Sequence, residues 1–212
     1  EEIVAMIRDA SNEPLDDAVL EEFSLDALSW DTVSRYRAVV SAVRPNHPWL
    51  KLDDEELLVK LNAIGRTNGE GEFHPTRAGL LMFGFEHEIV KEYANYFLDY
   101  READHERRWA DRIVSQDGTW TGNLFDFWTE ALPRLTGGLK KPFALDSNLQ
   151  RIEDTEMHAA IREALANALV HSDYYGRRGI VALRYSDRIE IANPGNSRVA
   201  LDVVRAGGIS DA

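Results

Sequence analysis

The chain has 212 residues, with 24 Lys and Arg against 37 Asp and Glu, a formal charge of −13 and a 44% hydrophobic fraction. That is enough for one large globular domain or two small ones, and it is too apolar for a disordered chain. With no cysteine, disulfides and thiolate metal sites are excluded, in keeping with a reducing cytoplasm. No run of about 18 apolar residues is present, so no membrane-crossing helix is expected. The opening "EEIVAMIRDASNEP" lacks the basic stretch and apolar run of a signal peptide.

The first 50 residues read as short helices. The clearest is Trp30 to Val43, with Ser29 placed to cap it and Pro45 to stop it. In "PNHPW" the chain turns, and Trp49 is expected to pack. "DDEELLVKLNAIG" carries Asp53 at the cap and Glu56 at the reciprocal capping-box position, with Gly65 as its expected end. "NGEGE" is a turn. "PTRAGLLMFG" reads as a short apolar helix with Pro75 and Thr76 at its start and Gly84 at its end. "NYFLDYRE", Asn95 to Glu102, alternates as a strand does. "RWADRIVSQ" is its candidate partner, closed by an Asp117-Gly118 turn.

"NLFDFWTEALPRL" follows, capped by Asn123. Its stripe is Leu124, Phe127, Trp128, Ala131 and Leu135, and Gly137-Gly138 ends it. The polar, Gly-rich "SQDGTWTGN" before it either lines a pocket or is a hairpin turn followed by a helix cap. "KKPFALDSNLQR" reads as a connector. In "TEMHAAIREALANALVH", capped by Thr155, Met157, Ala160, Ile161, Ala164, Leu165, Ala168 and Leu169 recur at helical spacing. So many alanines predict close contact with a neighbour. "GIVALRY" and "RIEIA" then form a hairpin across Ser186-Asp187.

A nucleic-acid face needs clustered cations to displace phosphate counterions. Here the arginines are scattered, and the densest group, Arg107, Arg108 and Arg112, lies among Asp104, Glu106 and Asp111. The six histidines, His47, His74, His87, His105, His158 and His171, make no zinc-type pair. There is no phosphate-cradling G-x-x-x-x-G-K-[ST] loop and no G-x-S-x-G elbow.

Glu163, Asn167 and His171 are spaced i, i+4, i+8, which makes a polar row drifting by about 80° along one side of the last helix. The row is expected at the edge of the apolar stripe, half-buried. A carboxylate there can take a proton from water. An amide oxygen can ligate Mg²⁺, which prefers oxygen. The hairpin returns the chain to Asn193-Pro194-Gly195, where glycine permits close approach to the backbone. Each feature also has a plain structural reading, as a solvated helix flank, a residue complementing the helix dipole and an ordinary turn.

The stretch "AIREALANALVHSDYYGRRGIVALRYSDRIEIANPG" resembles the RecG-related, GHKL-type (Bergerat) ATPase-like domain of bacterial transcriptional regulators, proteins often labelled ATP-dependent DNA helicases. "FHPTRAGLLMFG" and "RWADRIVSQDGTWTGNLFDFW" are similar to the same family's approach to that domain. The resemblance runs from Asp53 to the end and is sharpest from Ala159 to Gly195. It implies that Glu163 activates the attacking water, that Asn167 ligates Mg²⁺, and that Asn193 and Gly195 contact the nucleotide. Where the family's second box reads Asp-x-Gly-x-Gly, this chain has Asn193-Pro194-Gly195-Asn196-Ser197.

The expected fold class is α+β. A helical region, 1–75, would precede an α/β middle region, 76–150, and a truncated ATPase-like region, 151–212, holding a partial Bergerat-like helix–hairpin unit. The family implies a longer protein, with a Schlafen-type AlbA domain touching nucleic acid before residue 1 and further strands and a lid after residue 212. ATP and Mg²⁺ would belong to that full-length protein, with neither expected on this fragment. The reading is a regulatory or assembly part of a cytoplasmic transcriptional regulator. The alternative is an interaction or homo-oligomerisation module with a degenerate nucleotide site and no enzymatic activity.

Overall fold

The computed structural model of the chain describes residues 15–103, 109–139 and 155–195. The connector "KKPFALDSNLQR", His105, the Arg107-Arg108 pair, and Asn196 and Ser197 lie outside the described residues. The fold is α+β, with six α-helices and two sheets among the described residues. After two single-turn helices, Leu15–Asp17 and Leu25–Ala27, come α1 (Trp30–Val43), α2 (Asp54–Lys60), strands β1 (Ile64–Gly65) and β2 (His74–Pro75), α3 (Arg77–Phe83) and α4 (Glu86–Glu92). Then β3 (Leu98–Glu102), β4 (Asp111–Val114), α5 (Leu124–Thr136), α6 (Glu156–Val170), β5 (Ile180–Arg184) and β6 (Ile189–Ala192) complete the order.

Local hydrogen bonds start the helices. The side chains of Ser29, Asp53, Thr76, Asn123 and Thr155 each accept the backbone N–H three residues on. Such a cap is worth about 1 kcal/mol, because it satisfies a donor the helix cannot. Asp53 and Glu56 complete the capping box. Two helix boundaries and one turn differ from the sequence reading. Helix α2 stops at Lys60, and Asn62, at φ 56°, takes the left-handed turn expected of Gly65. Gly65 instead pairs with His74 in the small sheet, and Pro75 belongs to β2 rather than to the first turn of α3. The Asp117-Gly118 turn follows β4 and leads into α5, so it does not join β3 to β4.

Four strands form the main sheet in the order β4-β3-β5-β6. β3 and β5 run parallel, while β4 and β6 pair antiparallel at the two edges. The β5–β6 hairpin turns at Ser186-Asp187, with the Tyr185 N–H donating to the Arg188 carbonyl at 2.8 Å. Helices α5 and α6 cover one face of the sheet. Phe127, Leu135, Leu165, Leu98, Tyr100 and Ala182 are fully buried in one cluster there. Each large apolar side chain contributes roughly 1.5–3 kcal/mol. A second cluster, Leu28, Val33, Leu57, Leu58, Ala63, Ile64 and Phe83, packs α1, α2 and the small sheet together. Trp49 packs against it.

Helix α6 buries a narrower face than its periodicity predicts. His158, Ile161, Leu165, Ala168 and Leu169 are buried, whereas Met157, Ala160 and Ala164 are exposed. At 3.6 residues per turn the buried five share one stripe, and the exposed three lie along its margin. The helix rests on α5 and the sheet along one line, so of the alanines in the predicted stripe Ala168 makes the close contact expected and Ala160 and Ala164 do not. At the end of α5, the Arg184 guanidinium donates to the carbonyls of Arg134, at 2.7 Å, and Gly137. A cation there offsets both the unpaired carbonyls and the helix dipole.

Candidate functional site

The candidate site lies at the C-terminal end of α6. Glu163 and Asn167 are both exposed, with the Asn167 amide donating to Glu163 Oε1 at 3.0 Å. The polar row therefore stands on the solvent side of the helix and not at the half-buried edge expected. The physical reason is the narrow footprint of α6: the row is centred more than a quarter-turn from Ile161 and Leu165. One amide proton joins the pair, which leaves Asn167 Oδ1 and Glu163 Oε2 without partners among the described residues.

One turn on, His171 caps the helix, its N–H donating to the Asn167 carbonyl at 3.0 Å. The Asn193-Pro194-Gly195 bend comes to this end. The Asp173 N–H donates to the Pro194 carbonyl at 2.9 Å. Gly195 has φ 128°, and a Cβ built on it would lie 3.7 Å from both the His171 carbonyl oxygen and the Asp173 nitrogen. The left-handed backbone, not lack of space, is what calls for glycine there. Asn193 is exposed, and its amide donates to the Pro194 carbonyl at 3.3 Å. The structure thus brings Gly195 to His171 and Asp173 through backbone contacts. It brings Glu163 to Asn167 by a side-chain hydrogen bond.

A belt of tyrosines, missed in the sequence, fixes the loop after α6. Tyr174 donates to the Leu169 carbonyl at 2.5 Å. Tyr175 donates to Glu92, which also accepts from Arg77 at 3.0 Å. The Tyr93 ring lies 4.8 Å from that of Tyr175 and 6.0 Å from that of Tyr174. Burial raises the Tyr93, Tyr96 and Tyr174 hydroxyls well above the ordinary tyrosine value and pushes Tyr175 up to about 12. The paired tyrosines of "SDYYG" were visible, but apart from Leu169 their partners lie some 80 positions earlier, at the end of α4. No local pattern records that pairing.

A second polar group was also missed. Asp126, in the first turn of α5, is buried. It accepts from Thr32 at 2.7 Å, from Thr121 at 2.6 Å, and twice from Arg35, at 2.6 and 3.1 Å. A carboxylate beside the aromatic stripe of "NLFDFW" was the available signal. Asp117, Thr119, Trp120 and Thr121 of "SQDGTWTGN" line a cleft of about 590 Å³ beside it. The segment is also a turn and a cap, with Asp117 Oδ1 accepting the Thr119 N–H at 2.8 Å, but the turn leads from β4 into α5 and is not the hairpin turn expected.

Among the described residues no three His, Asp or Glu side chains converge as a metal site, and no helix is long and apolar enough to cross a membrane.

The geometry can be set beside known proteins. A model for the domain of unknown function DUF8451 matches residues 4–99, a stretch that ends inside β3 and so stops before α6 and the bend. No curated protein matches the chain. The crystal structure of the DIP2311 protein from Corynebacterium diphtheriae is similar in fold, with a TM-score of 0.60 at 17% identity. The similarity covers 91% of this chain and 35% of that protein, so the chain spans about a third of its length.

Proposed function

We propose that the chain is the RecG-related, GHKL-type ATPase-like portion of a cytoplasmic bacterial transcriptional regulator, acting as a regulatory part that senses a nucleotide. One observation supports the reading: the Pro194–Gly195 bend meets the chain at His171 and Asp173, one turn beyond Asn167, at the end of the helix that carries the solvent-open carboxylate–amide pair. The donor set fits a magnesium nucleotide. Asn167 Oδ1 offers the hard oxygen that Mg²⁺ prefers, with phosphate and water supplying the rest. Asn193 Oδ1 can accept from an adenine amino group, and Gly195 opens the backbone to a planar ligand. Bound Mg²⁺ would neutralise phosphate charge, while Glu163 would orient and deprotonate a water. Contact with nucleic acid would fall to a separate N-terminal domain, and strand separation forms no part of the reading.

Titration of the full-length protein with ATP, with and without Mg²⁺, tests it. Saturable binding that weakens when Mg²⁺ is removed and in Asn167→Ala is expected. Binding indifferent to both would remove the nucleotide reading. Glu163→Ala should lower phosphate release, and equal rates would eliminate Glu163 as base.

A second reading, assembly without ligand chemistry, is favoured by β6, which has β5 as its one sheet neighbour among the described residues. An open strand edge pairs readily with another chain. Sedimentation at rising concentration separates the readings, since a monomer throughout counts against assembly.

A further inference from the structure

The sheet carries a second charged cluster, unrelated to α6. Alternation along β3 turns Leu98 and Tyr100 toward the helices and Asp99 and Arg101 toward the other face. Asp99 stands opposite Val114 on β4 and Val181 on β5. Arg101 stands opposite Arg112 on β4. Two like charges directly across an antiparallel pair repel, so the chain must compensate them. Asp99 does so from a fully buried position. It accepts from Nε and Nη2 of Arg101, the former at 2.7 Å, and from Nε and Nη2 of Arg112, both at 3.0 Å.

One carboxylate between two guanidiniums leaves one positive charge over. Each arginine spends its Nε and Nη2 on Asp99, and Nη1 of both has no partner among the described residues. Their side chains remain 25% and 37% exposed, so these donors reach solvent. Trp109 lies beside the pair, its ring centre 4.6 Å from the Arg101 guanidinium carbon and 5.8 Å from that of Arg112. Held by a buried acid and an aromatic ring, the two forks lose little freedom when they meet a ligand.

We propose that Arg101 and Arg112 bind a single oxyanion, the phosphate or carboxylate group of a small ligand. Asp99 is a positioning residue that fixes both forks, and Trp109 forms a flat wall beside the anion. The planar donors favour an oxyanion over a halide.

Equilibrium dialysis of the full chain against inorganic phosphate and against acetate, at constant ionic strength made up with chloride, tests the site. Saturable binding of at least one anion, with a Kd below about 10 mM, is expected. Arg101→Lys and Arg112→Lys keep the charge but lose the fork, so each should weaken binding at least tenfold with the melting temperature little changed. Tighter phosphate binding identifies a phosphorylated ligand, and tighter acetate binding a carboxylate. No saturation with either anion, or equal affinity in both lysine variants, overturns the proposal. If a variant fails to fold, Nε–H NMR shifts in the unaltered protein decide the matter: Arg101 and Arg112 must move on anion addition while exposed Arg44 and Arg178 do not. Asn167→Ala should leave this binding intact, which keeps it distinct from the nucleotide reading.

Discussion

Two carboxylates of this protein lie near amide side chains on helices, and their surroundings separate them. Asp126 on α5, close to Asn123, is buried and fully occupied by hydrogen bonds from Thr32, Arg35 and Thr121, which tie α1 to α5. Glu163 on α6, beside Asn167, is exposed and has one side-chain hydrogen bond. Residue type does not distinguish them. Spare hydrogen-bonding capacity does: a saturated buried acid has nothing left for a ligand, whereas an exposed pair with open lone pairs does. A buried acid is kept because removing it strands its partners.

The largest test of this contrast is Asp126→Ala. It leaves the half-buried Thr121 hydroxyl short of an acceptor and opens a gap beside the buried Thr32, whose hydroxyl keeps only Ser29 Oγ at 3.0 Å, while Arg35 can turn to water. A loss of about 2–4 kcal/mol is expected, which lowers the melting temperature by roughly 5–15 °C. Thermal unfolding followed by circular dichroism measures it. A change near zero would make the network a surface decoration and dissolve the comparison.

A smaller effect should come from the tyrosine belt that anchors the loop behind the exposed pair. A tyrosine whose native pKa exceeds its unfolded value of about 10 stabilises the fold fully below that pH. Its contribution falls as the pH rises through the native value, here about 12 for Tyr175. Stability should therefore decline above about pH 10. Tyrosinate absorbance from Tyr93, Tyr96 and Tyr174 should rise only together with loss of the helical signal. Ionisation of all seven tyrosines near pH 10, with the helices intact, would contradict the buried belt.

The smallest effect belongs to the exposed pair. Glu163→Ala should change stability by less than about 0.5 kcal/mol, since one solvent-facing hydrogen bond is lost. Denaturant titration checks this. A loss comparable to that of Asp126→Ala would mean that Glu163 has a structural duty and would erase the distinction drawn above.

The sequence determined the beginnings of the helices and the tight hairpin by itself. A cap is a contact among residues three apart, and the Ser186-Asp187 turn is closed by its own neighbours, so both are written in a few consecutive letters. It also determined that Glu163 and Asn167 share one side of α6, because helical geometry fixes that spacing. Only the tertiary structure decided which side of that helix meets the core. Alanines at the margin of an apolar stripe suit contact and solvent equally, and the width of the surface beneath them selects. The order of the strands, the return of Gly195 to His171, and the meeting of Asp99 with Arg112 and of Tyr175 with Glu92 were decided there too. Each joins segments whose separation along the chain places no constraint on their distance in space.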